Sequence, residues 1–276
     1  MPAPPGIAML RLTPIRSEKV WGYEDWIAST HPDGLQSEFA SLVKDYPLLV
    51  KIIQANDFLS VQVHPDDDDA KRLENAHERG KTECWYVLSA DEGASIVYGL
   101  TKNLGAEEIR AAIKENALEP LLNRVEVRKG DFIFIQAGTV HSIGGGLRLL
   151  EVQQSCNITY RLYDWGRQRE VHIEKGVEVI KSRERRKIAP LGEEFECEYF
   201  RLQKERLGGG YSFLVPLSSR LPELVFISDG GGIIRAADKN GGKTELPFKK
   251  EEIFAVTAGE KITLEGKGEI IRIQAK

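Results

Sequence analysis

The sequence contains few of the features that assign a chain to a special class of protein. It has only three cysteines, Cys84, Cys156 and Cys197, which are widely spaced and form no Cys-x-x-Cys pair. A disulfide framework or a cysteine zinc site is therefore not expected, and reduced thiols in the cytoplasm are the better interpretation. No apolar run approaches the roughly 20 residues that a membrane-spanning helix needs. The N-terminal residues also lack the charged start and long apolar stretch of a secretory signal.

An excess of basic charge is missing as well. The formal net charge is -4 and the isoelectric point is about 5.9, whereas nucleic-acid-binding domains are normally basic. Hydrophobic residues (41%) and charged residues (29%) occur in ordinary proportions for a globular protein. A length of 276 residues allows one large domain or two modest ones. We expect a folded cytoplasmic protein that binds neither nucleic acid nor a membrane.

Short strand-forming segments dominate the first two-thirds of the chain. They are rich in Val, Ile, Phe and Tyr and are separated by Gly, Asp, Asn and Pro, which favours an all-β sandwich or barrel. The predicted strands cover residues 48–53, 59–64, 83–88, 95–98, 123–127, 132–135, 147–153 and 158–163. Capping and periodicity predict three helices, over 66–80 with Asp66 as N-cap, 105–116 and 172–185.

The pattern changes after Pro190. Short β segments then alternate with Gly-rich turns, and this part of the sequence contains no histidine. We therefore predict a first domain over residues 1–187, which carries the chemistry, and a second, smaller β domain over residues 188–276.

The segment LSVQVHPDDDDA contains a glutamine and a histidine two positions apart. Side chains alternate between the two faces of a strand, so Gln62 and His64 would share one face. Val61 and Val63 would pack into a core from the other face. Taken alone, such a histidine is more often a hydrogen-bonded structural residue than a ligand.

Two other segments place charged side chains where a buried sheet is expected. In GKTECWYVL, Lys81 and Glu83 share a strand face just before an apolar run. Buried charges need a partner or a metal, although a surface ion pair is the alternative for these two residues. In LRLLEVQQ, Glu151 lies on an otherwise apolar face, where an unpaired carboxylate would be costly.

Two further motifs supply a histidine and an arginine. KGDFIFIQAGTVHSIGGG resembles the second metal-binding motif of cupin barrels, with His141 as the candidate ligand, although the usual proline of that motif is absent. In NITYRLYDWGR, Arg161 lies among apolar and aromatic residues. A guanidinium in such surroundings either clamps a carboxylate or phosphate, or stacks on aromatic rings and pairs with Asp164.

The candidate ligands come from three separate segments of one predicted barrel. They are Gln62, His64, Glu83 and His141. Two imidazoles and one carboxylate with an open position are a common composition for catalytic Zn²⁺, and they also suit non-haem Fe²⁺. Lys81 and Arg161 add positive charge, which suits a small anionic substrate such as a sugar phosphate.

These motifs together resemble the type I phosphomannose isomerase family. The resemblance rests on LSVQVHPDD, GKTECWYVL, GDFIFIQAGTVHSIGGG and LEVQQSCNITYRLYDWGR, which occur in family order within residues 12–185. It implies a mainly β cupin fold, a double-stranded β-helix or jelly-roll barrel with a few helices, and a second, smaller cupin-like domain. It also implies one Zn²⁺ per chain and interconversion of mannose 6-phosphate and fructose 6-phosphate through an enediol(ate).

The resemblance also implies roles for individual residues. The implied metal ligands are Gln62, His64, Glu83 and His141, and the implied catalytic residues are Arg161, Lys81 and Glu151. The identity of the general base stays open, and the candidates are Glu151, Lys81 and a metal-bound water. The segment between VWGYED and PLLVKI is shorter than in many members, which leaves the breadth of substrates open.

Two functions from other classes compete with the isomerase. A cupin that only binds a sugar phosphate as a sensor should lack Lys81, Arg161 or one ligand, and none of these is missing. An iron-dependent oxygenase would share the imidazoles and the carboxylate, but neither Gln62 as a ligand nor the phosphate-suited cations. The protein is expected to be a monomer or a homodimer. The remaining histidines, His31, His77 and His172, are expected at the surface.

Overall fold

The fold is mainly β, as predicted. The computed structural model describes residues 7–181, 187–237 and 243–276, with 48% strand and 13% helix. The strands are β1 (Met9–Arg11), β2 (Ile15–Lys19), β3 (Gly22–Ala28), β4 (Leu48–Ala55), β5 (Val61–Val63), β6 (Glu83–Ala90), β7 (Ser95–Leu100), β8 (Leu122–Glu126), β9 (Asp131–Ile135), β10 (His141–Ile143), β11 (Leu147–Gln154), β12 (Tyr160–Tyr163), β13 (Ala189–Pro190), β14 (Glu194–Glu196), β15 (Phe200–Leu214), β16 (Glu223–Ala237), β17 (Lys243–Lys249), β18 (Ile253–Val256) and β19 (Lys261–Ala275). The α-helices are α1 (Ser37–Leu42), α2 (Asp67–Leu73), α3 (Ala106–Lys114) and α4 (Ile173–Val179), and 3₁₀ turns cover Pro32–Gly34 and Glu119–Leu121.

The chain divides into two compact units, each of which is discontinuous in sequence. One unit contains the described residues of Arg16–Asp25 and Val50–Pro190. The other contains the described residues of Met1–Ile15, Trp26–Leu49 and Leu191–Lys276. The predicted division into residues 1–187 and 188–276 stays a prediction.

Two sheets enclose the core of the unit that contains Val50–Pro190. One sheet has the strand order β12-β5-β10-β7-β8, and the other has the order β13-β9-β6-β11-β4-β3-β2. Inward-facing side chains of both sheets form one apolar cluster, which includes Ile53, Trp85, Ile96, Ile143 and Leu149. Burial of each such side chain contributes roughly 1.5–3 kcal/mol to stability. The two sheets are thereby fixed around a common interior.

The helices α3 and α4 cover the other face of the five-stranded sheet. Val61 and Val63 of β5 pack there with apolar residues of both helices. Gln62 instead contacts His141, and His64 contacts Glu83. The predicted alternation of side chains along residues 61–64 is therefore confirmed.

The helix predicted over residues 66–80 begins as expected but is shorter. Asp66 is its N-cap, and the helix ends at Leu73 rather than at Gly80. The chain then turns back against the start of the helix, where a Cβ at Gly80 would lie 2.4 Å from the carbonyl carbon of Asp66. The Lys81 N–H donates to the Pro65 carbonyl at 2.9 Å, so this turn brings Lys81 beside the Gln-x-His segment.

The other two predicted helices are also present in shorter form. Helix α3 lies within the predicted range 105–116, and α4 lies within 172–185. The predicted end of the latter helix, residues 182–185, lies outside the described residues.

The second unit has its own sheet and core. Its strand order is β1-β18-β16-β19-β15-β14, with β17 paired to β16. Apolar residues from these strands form a buried cluster that includes Val225, Phe254 and Ile270. In the described part of the chain, no helix combines the length and apolarity required to cross a membrane.

Candidate metal centre

Three side chains with metal-binding atoms converge between the two sheets of the unit that contains Val50–Pro190. His64, Glu83 and His141 each present a ligand atom, and these atoms lie within 4.8 Å of one another. All three residues are at most 1% exposed. His64 Nε2 is 3.6 Å from Glu83 Oε2, and His141 Nε2 is 3.4 Å from Glu83 Oε1. The structure therefore brings together three of the four predicted ligands around one carboxylate.

Backbone carbonyls fix the orientation of both imidazole rings. His64 Nδ1 lies 2.9 Å from the Ile158 oxygen, and His141 Nδ1 lies 2.8 Å from the Thr139 oxygen. A carbonyl only accepts hydrogen bonds, so each Nδ1 carries the proton and each Nε2 directs its lone pair towards Glu83. Burial holds the pKa of His64 well below its ordinary value and lowers the pKa of His141 to about 4. Both rings are therefore neutral at pH 7, which is the form that binds metals.

Gln62 reaches the same position from β5. It pairs with His141 of β10, and its side-chain amide lies 3.3 Å from His141 Nε2. Turning the amide by 180° exchanges its oxygen and nitrogen, so Gln62 can offer an oxygen ligand. Two neutral imidazoles and a carboxylate suit Zn²⁺, and an amide oxygen can complete the set. The residues present therefore fit a zinc ion.

Lys81 is a buried cation beside these ligand atoms. Its Nζ lies 3.0 Å from Glu83 Oε2 and 3.2 Å from His64 Nε2. Burial lowers the pKa of Lys81, but Glu83 and Glu151 together raise it by more, so the ammonium stays charged. Lys81 is only 4% exposed. The alternative of a surface ion pair between Lys81 and Glu83 is therefore wrong.

Glu151 belongs to a row of buried and partly buried charges across three adjacent strands. Its Oε1 lies 3.8 Å from Lys51 Nζ on β4, and Lys51 Nζ lies 3.7 Å from Glu24 Oε2 on β3. Burial raises the pKa of Glu151 to about 7, while Lys51 opposes this shift and Glu83 adds to it. Sequence reasoning missed Lys51 and Glu24. The available signal was the single lysine in the otherwise apolar segment LLVKIIQA.

Arg161 lies on β12 and pairs with Gln62 of β5, so the two side chains share one sheet face. Its Nη1 donates to the Glu170 carbonyl at 2.6 Å. Its Nε is buried and has no hydrogen-bond partner among the described residues. Asp164 forms ion pairs with Arg169 at 2.6 Å and with Arg167 at 3.1 Å. The Nε–H donor of Arg161 thus has no acceptor among the described residues.

Comparison with known proteins identifies the family. The family model of the phosphomannose isomerase type I catalytic domain matches residues 15–92. Mannose-6-phosphate isomerase ManA of Bacillus subtilis (strain 168) is 38% identical over 244 residues, covering 82% of this chain and 74% of that protein. The chain belongs to the type I phosphomannose isomerase family. This confirms the resemblance that the sequence motifs carry.

Two further phosphomannose isomerases show the extent of the similarity. The mannose-6-phosphate isomerase of Streptococcus mutans serotype c is 42% identical over 200 residues, and the match spans 60% of this chain but only 62% of that relative's length. The crystal structure of the mannose 6-phosphate isomerase from Bacillus subtilis superposes with a TM-score of 0.82 and 26% identity, covering 97% of this chain and 100% of that chain. The predicted cupin fold is therefore confirmed, and the predicted enzyme class agrees with the names of these relatives.

Three histidines outside the predicted ligand set were expected at the surface. His77 is exposed, whereas His31 and His172 are half-buried. His172 Nδ1 accepts a hydrogen bond from the Arg161 backbone N–H at 3.1 Å. The expected exposure is therefore confirmed for His77, whereas His31 and His172 are less exposed than expected and the His172 ring contacts the strand that carries Arg161.

Proposed function

We propose that the protein is a zinc-dependent isomerase that interconverts mannose 6-phosphate and fructose 6-phosphate. The main observation that supports this proposal is that His64, Glu83 and His141 converge beside the buried cation Lys81 in a chain of this family. Gln62 would complete the ligand set, with one Zn²⁺ per chain. When bound, the zinc ion supplies a Lewis acid that polarises an oxygen of the substrate.

The side chains around the ligands suit proton transfer between C1 and C2 of a sugar. This reaction needs a base and a group that stabilises the negative charge of an enediol(ate). We assign the base to Glu151, because burial raises its pKa to about 7. Lys81 is already the charged partner of Glu83. We therefore assign to Lys81 and Arg161 the stabilisation of negative charge on the oxygens of the reacting sugar and of its phosphate.

A coupled assay with mannose 6-phosphate tests this function. Turnover should disappear when the protein is treated with a chelator and should return when Zn²⁺ is added. Glucose 6-phosphate, the C2 epimer of mannose 6-phosphate, is the matched substrate control. Absence of turnover by the metal-loaded protein would overturn the isomerase proposal, and turnover that survives complete metal removal would overturn the role of zinc.

The same measurements separate the competing functions. A sensor would be stabilised by mannose 6-phosphate against thermal unfolding but would not convert it. An iron-dependent oxygenase would consume dioxygen after loading with Fe²⁺. We keep the expectations of a cytoplasmic protein, a monomer or a homodimer, with a small sugar phosphate as its substrate.

A further inference from the structure

Gln153 is a buried amide beside the metal centre to which the proposed reaction assigns no role. It is 0% exposed, and it pairs with Glu83 across the strands β11 and β6. Directly paired residues of neighbouring antiparallel strands point to the same face, with their Cβ atoms about 4.5–5.5 Å apart. Gln153 therefore lies next to the carboxylate at the middle of the ligand set.

The orientation of the Gln153 amide is fixed by the chain. Its Nε2 donates to the carbonyl oxygens of Gln154 at 2.9 Å and Cys156 at 2.6 Å. An exchange of oxygen and nitrogen would place the amide oxygen against two acceptors, so it is excluded. The same turn holds His64, whose Nδ1 donates to the Ile158 carbonyl at 2.9 Å. The segment that orients a metal ligand thus also orients the Gln153 oxygen.

The Gln153 oxygen is an acceptor that lacks a donor. Within residues 7–181, 187–237 and 243–276, Oε1 of Gln153 is buried and has no hydrogen-bond partner. Buried polar atoms in folded proteins are rarely left in this state, because an unsatisfied acceptor loses the hydrogen bonds that water would supply. A donor from a bound molecule would satisfy it.

A second buried group on the same two strands also lacks a hydrogen-bond partner. Trp85 pairs with Glu151 two residues along the same two strands, and its ring lies 5.5 Å from the His141 ring. Its Nε1–H also has no hydrogen-bond partner in the described part of the chain. A hydroxyl group both donates and accepts, so it can satisfy an unpaired oxygen and an unpaired N–H together. A phosphate or a carboxylate offers no donor to Gln153.

We propose that Gln153 Oε1 accepts a hydrogen bond from one hydroxyl group of the bound sugar, and that it positions the carbon chain against Glu83 and Glu151. This inference rests on the proposed function, since it adds a substrate contact to the same site. It assigns to Gln153 a role in recognising the sugar rather than its phosphate.

The variant Gln153→Met tests the contact, because methionine has a similar length and no acceptor. Its KM for mannose 6-phosphate is expected to rise about tenfold, with zinc content unchanged. Gln203→Met, in the other compact unit, is the matched control and should keep the KM of the parent. A Gln153→Met variant that folds, holds zinc and has the parent's KM would overturn the proposal.

Binding of reduced substrate analogues to the unaltered protein gives an independent answer if Gln153→Met does not fold. Hexitol 6-phosphates that lack one hydroxyl at a time are titrated by calorimetry. One analogue should bind about tenfold more weakly than the others, and in a folded Gln153→Met variant that analogue should lose no further affinity. Equal affinities for all analogues, or no binding of any of them, would overturn the proposal. Equal affinities are the result expected if the partner of Gln153 is an ordered water and not the sugar. Because this binding is measured without turnover, it decides on Gln153 even where the coupled assay finds no isomerase.

Discussion

Lys51 Nζ lies 3.8 Å from Glu151 Oε1, and both residues are only 3% exposed. Lys51 also reaches Glu24 at 3.7 Å, so one buried ammonium stands between two carboxylates on neighbouring strands. Burial of such charges is tolerated only when they are paired. The proposed base therefore owes its electrostatic environment partly to Lys51, a residue outside the predicted ligand set.

Replacement of Lys51 by Met should affect both stability and the pH dependence of turnover. Removing one partner of a buried ion pair leaves an uncompensated charge, so the free energy of unfolding should fall by about 3–5 kcal/mol. Because Lys51 lowers the pKa of Glu151, the rise of kcat/KM with pH should move to higher pH. Urea unfolding and a pH profile measure the two effects.

The matched control for this change is Lys19→Met. Lys19 lies 3.8 Å from Glu24, but its side chain is 35% exposed, so the expected loss is below about 1 kcal/mol. Equal losses for the Lys51 and Lys19 variants would show that the buried pair has no special importance.

Glu151→Gln should change stability in a pH-dependent way. Burial raises the pKa of Glu151 from 4.5 to about 7 in the folded protein. Between pH 4.5 and pH 7 the folded state holds a proton on Glu151 that the unfolded state releases. The protonated carboxyl therefore makes its full contribution to the free energy of unfolding below pH 4.5, and this contribution is lost as the pH rises through 7. The free energy of unfolding of the variant, relative to that of the parent, should therefore rise by on the order of 3 kcal/mol between pH 4.5 and pH 8. Urea unfolding of the chelator-treated proteins measures this gain, and a constant difference would contradict it.

His141→Ala should abolish retention of zinc. The change removes one of two imidazoles whose Nε2 atoms face Glu83, and the remaining donors cannot enclose the ion. Metal analysis after gel filtration should find well below one zinc per chain. The exposed residue His77 provides the control, since His77→Ala should keep the parent's zinc content. A His141→Ala variant with stoichiometric zinc would show that the ligand set is different.

Arg161→Ala should keep zinc and lose turnover. Its guanidinium shares a sheet face with Gln62 and retains a buried Nε without a hydrogen-bond partner in the described residues. Loss of a charged group that stabilises a transition state typically costs on the order of a hundredfold in rate. Arg161→Lys should recover little, because an ammonium lacks the planar fork. Arg235→Ala, an exposed residue of the other unit, should leave kcat/KM unchanged.

The parts of the site that could be predicted from the sequence follow from short-range rules. The two-residue period of a strand placed Gln62 and His64 on one face, and a charge in an apolar strand indicated Glu83 and Glu151. The same rule applies to Lys51 and would have indicated it. The partner Glu24 could not be found in this way, because the pairing of β3 with β4 follows from the fold of the sheet and not from any motif.

Other features depend on contacts that no local pattern contains. After the early end of α2, the chain returns so that Gly80 lies close to Asp66, and the half-buried His172 accepts a hydrogen bond from the Arg161 backbone. The unpaired oxygen of Gln153 becomes visible only when two backbone carbonyls are seen to hold its nitrogen. Each of these requires the positions of atoms that are distant in sequence or the geometry of a turn.

Strand β11 carries two different environments on a single face. Leu147 and Leu149 belong to the apolar core, while Glu151 and Gln153 lie beside the ligand set, and Leu149 and Gln153 are separated by only about 13 Å along the strand. The half of the strand that carries the proposed site residues thus continues directly from the apolar core. A substitution at Leu147 or Leu149 would therefore act on the site only by displacing Glu151 and Gln153, whereas a substitution at Gln153 would change a proposed sugar contact directly.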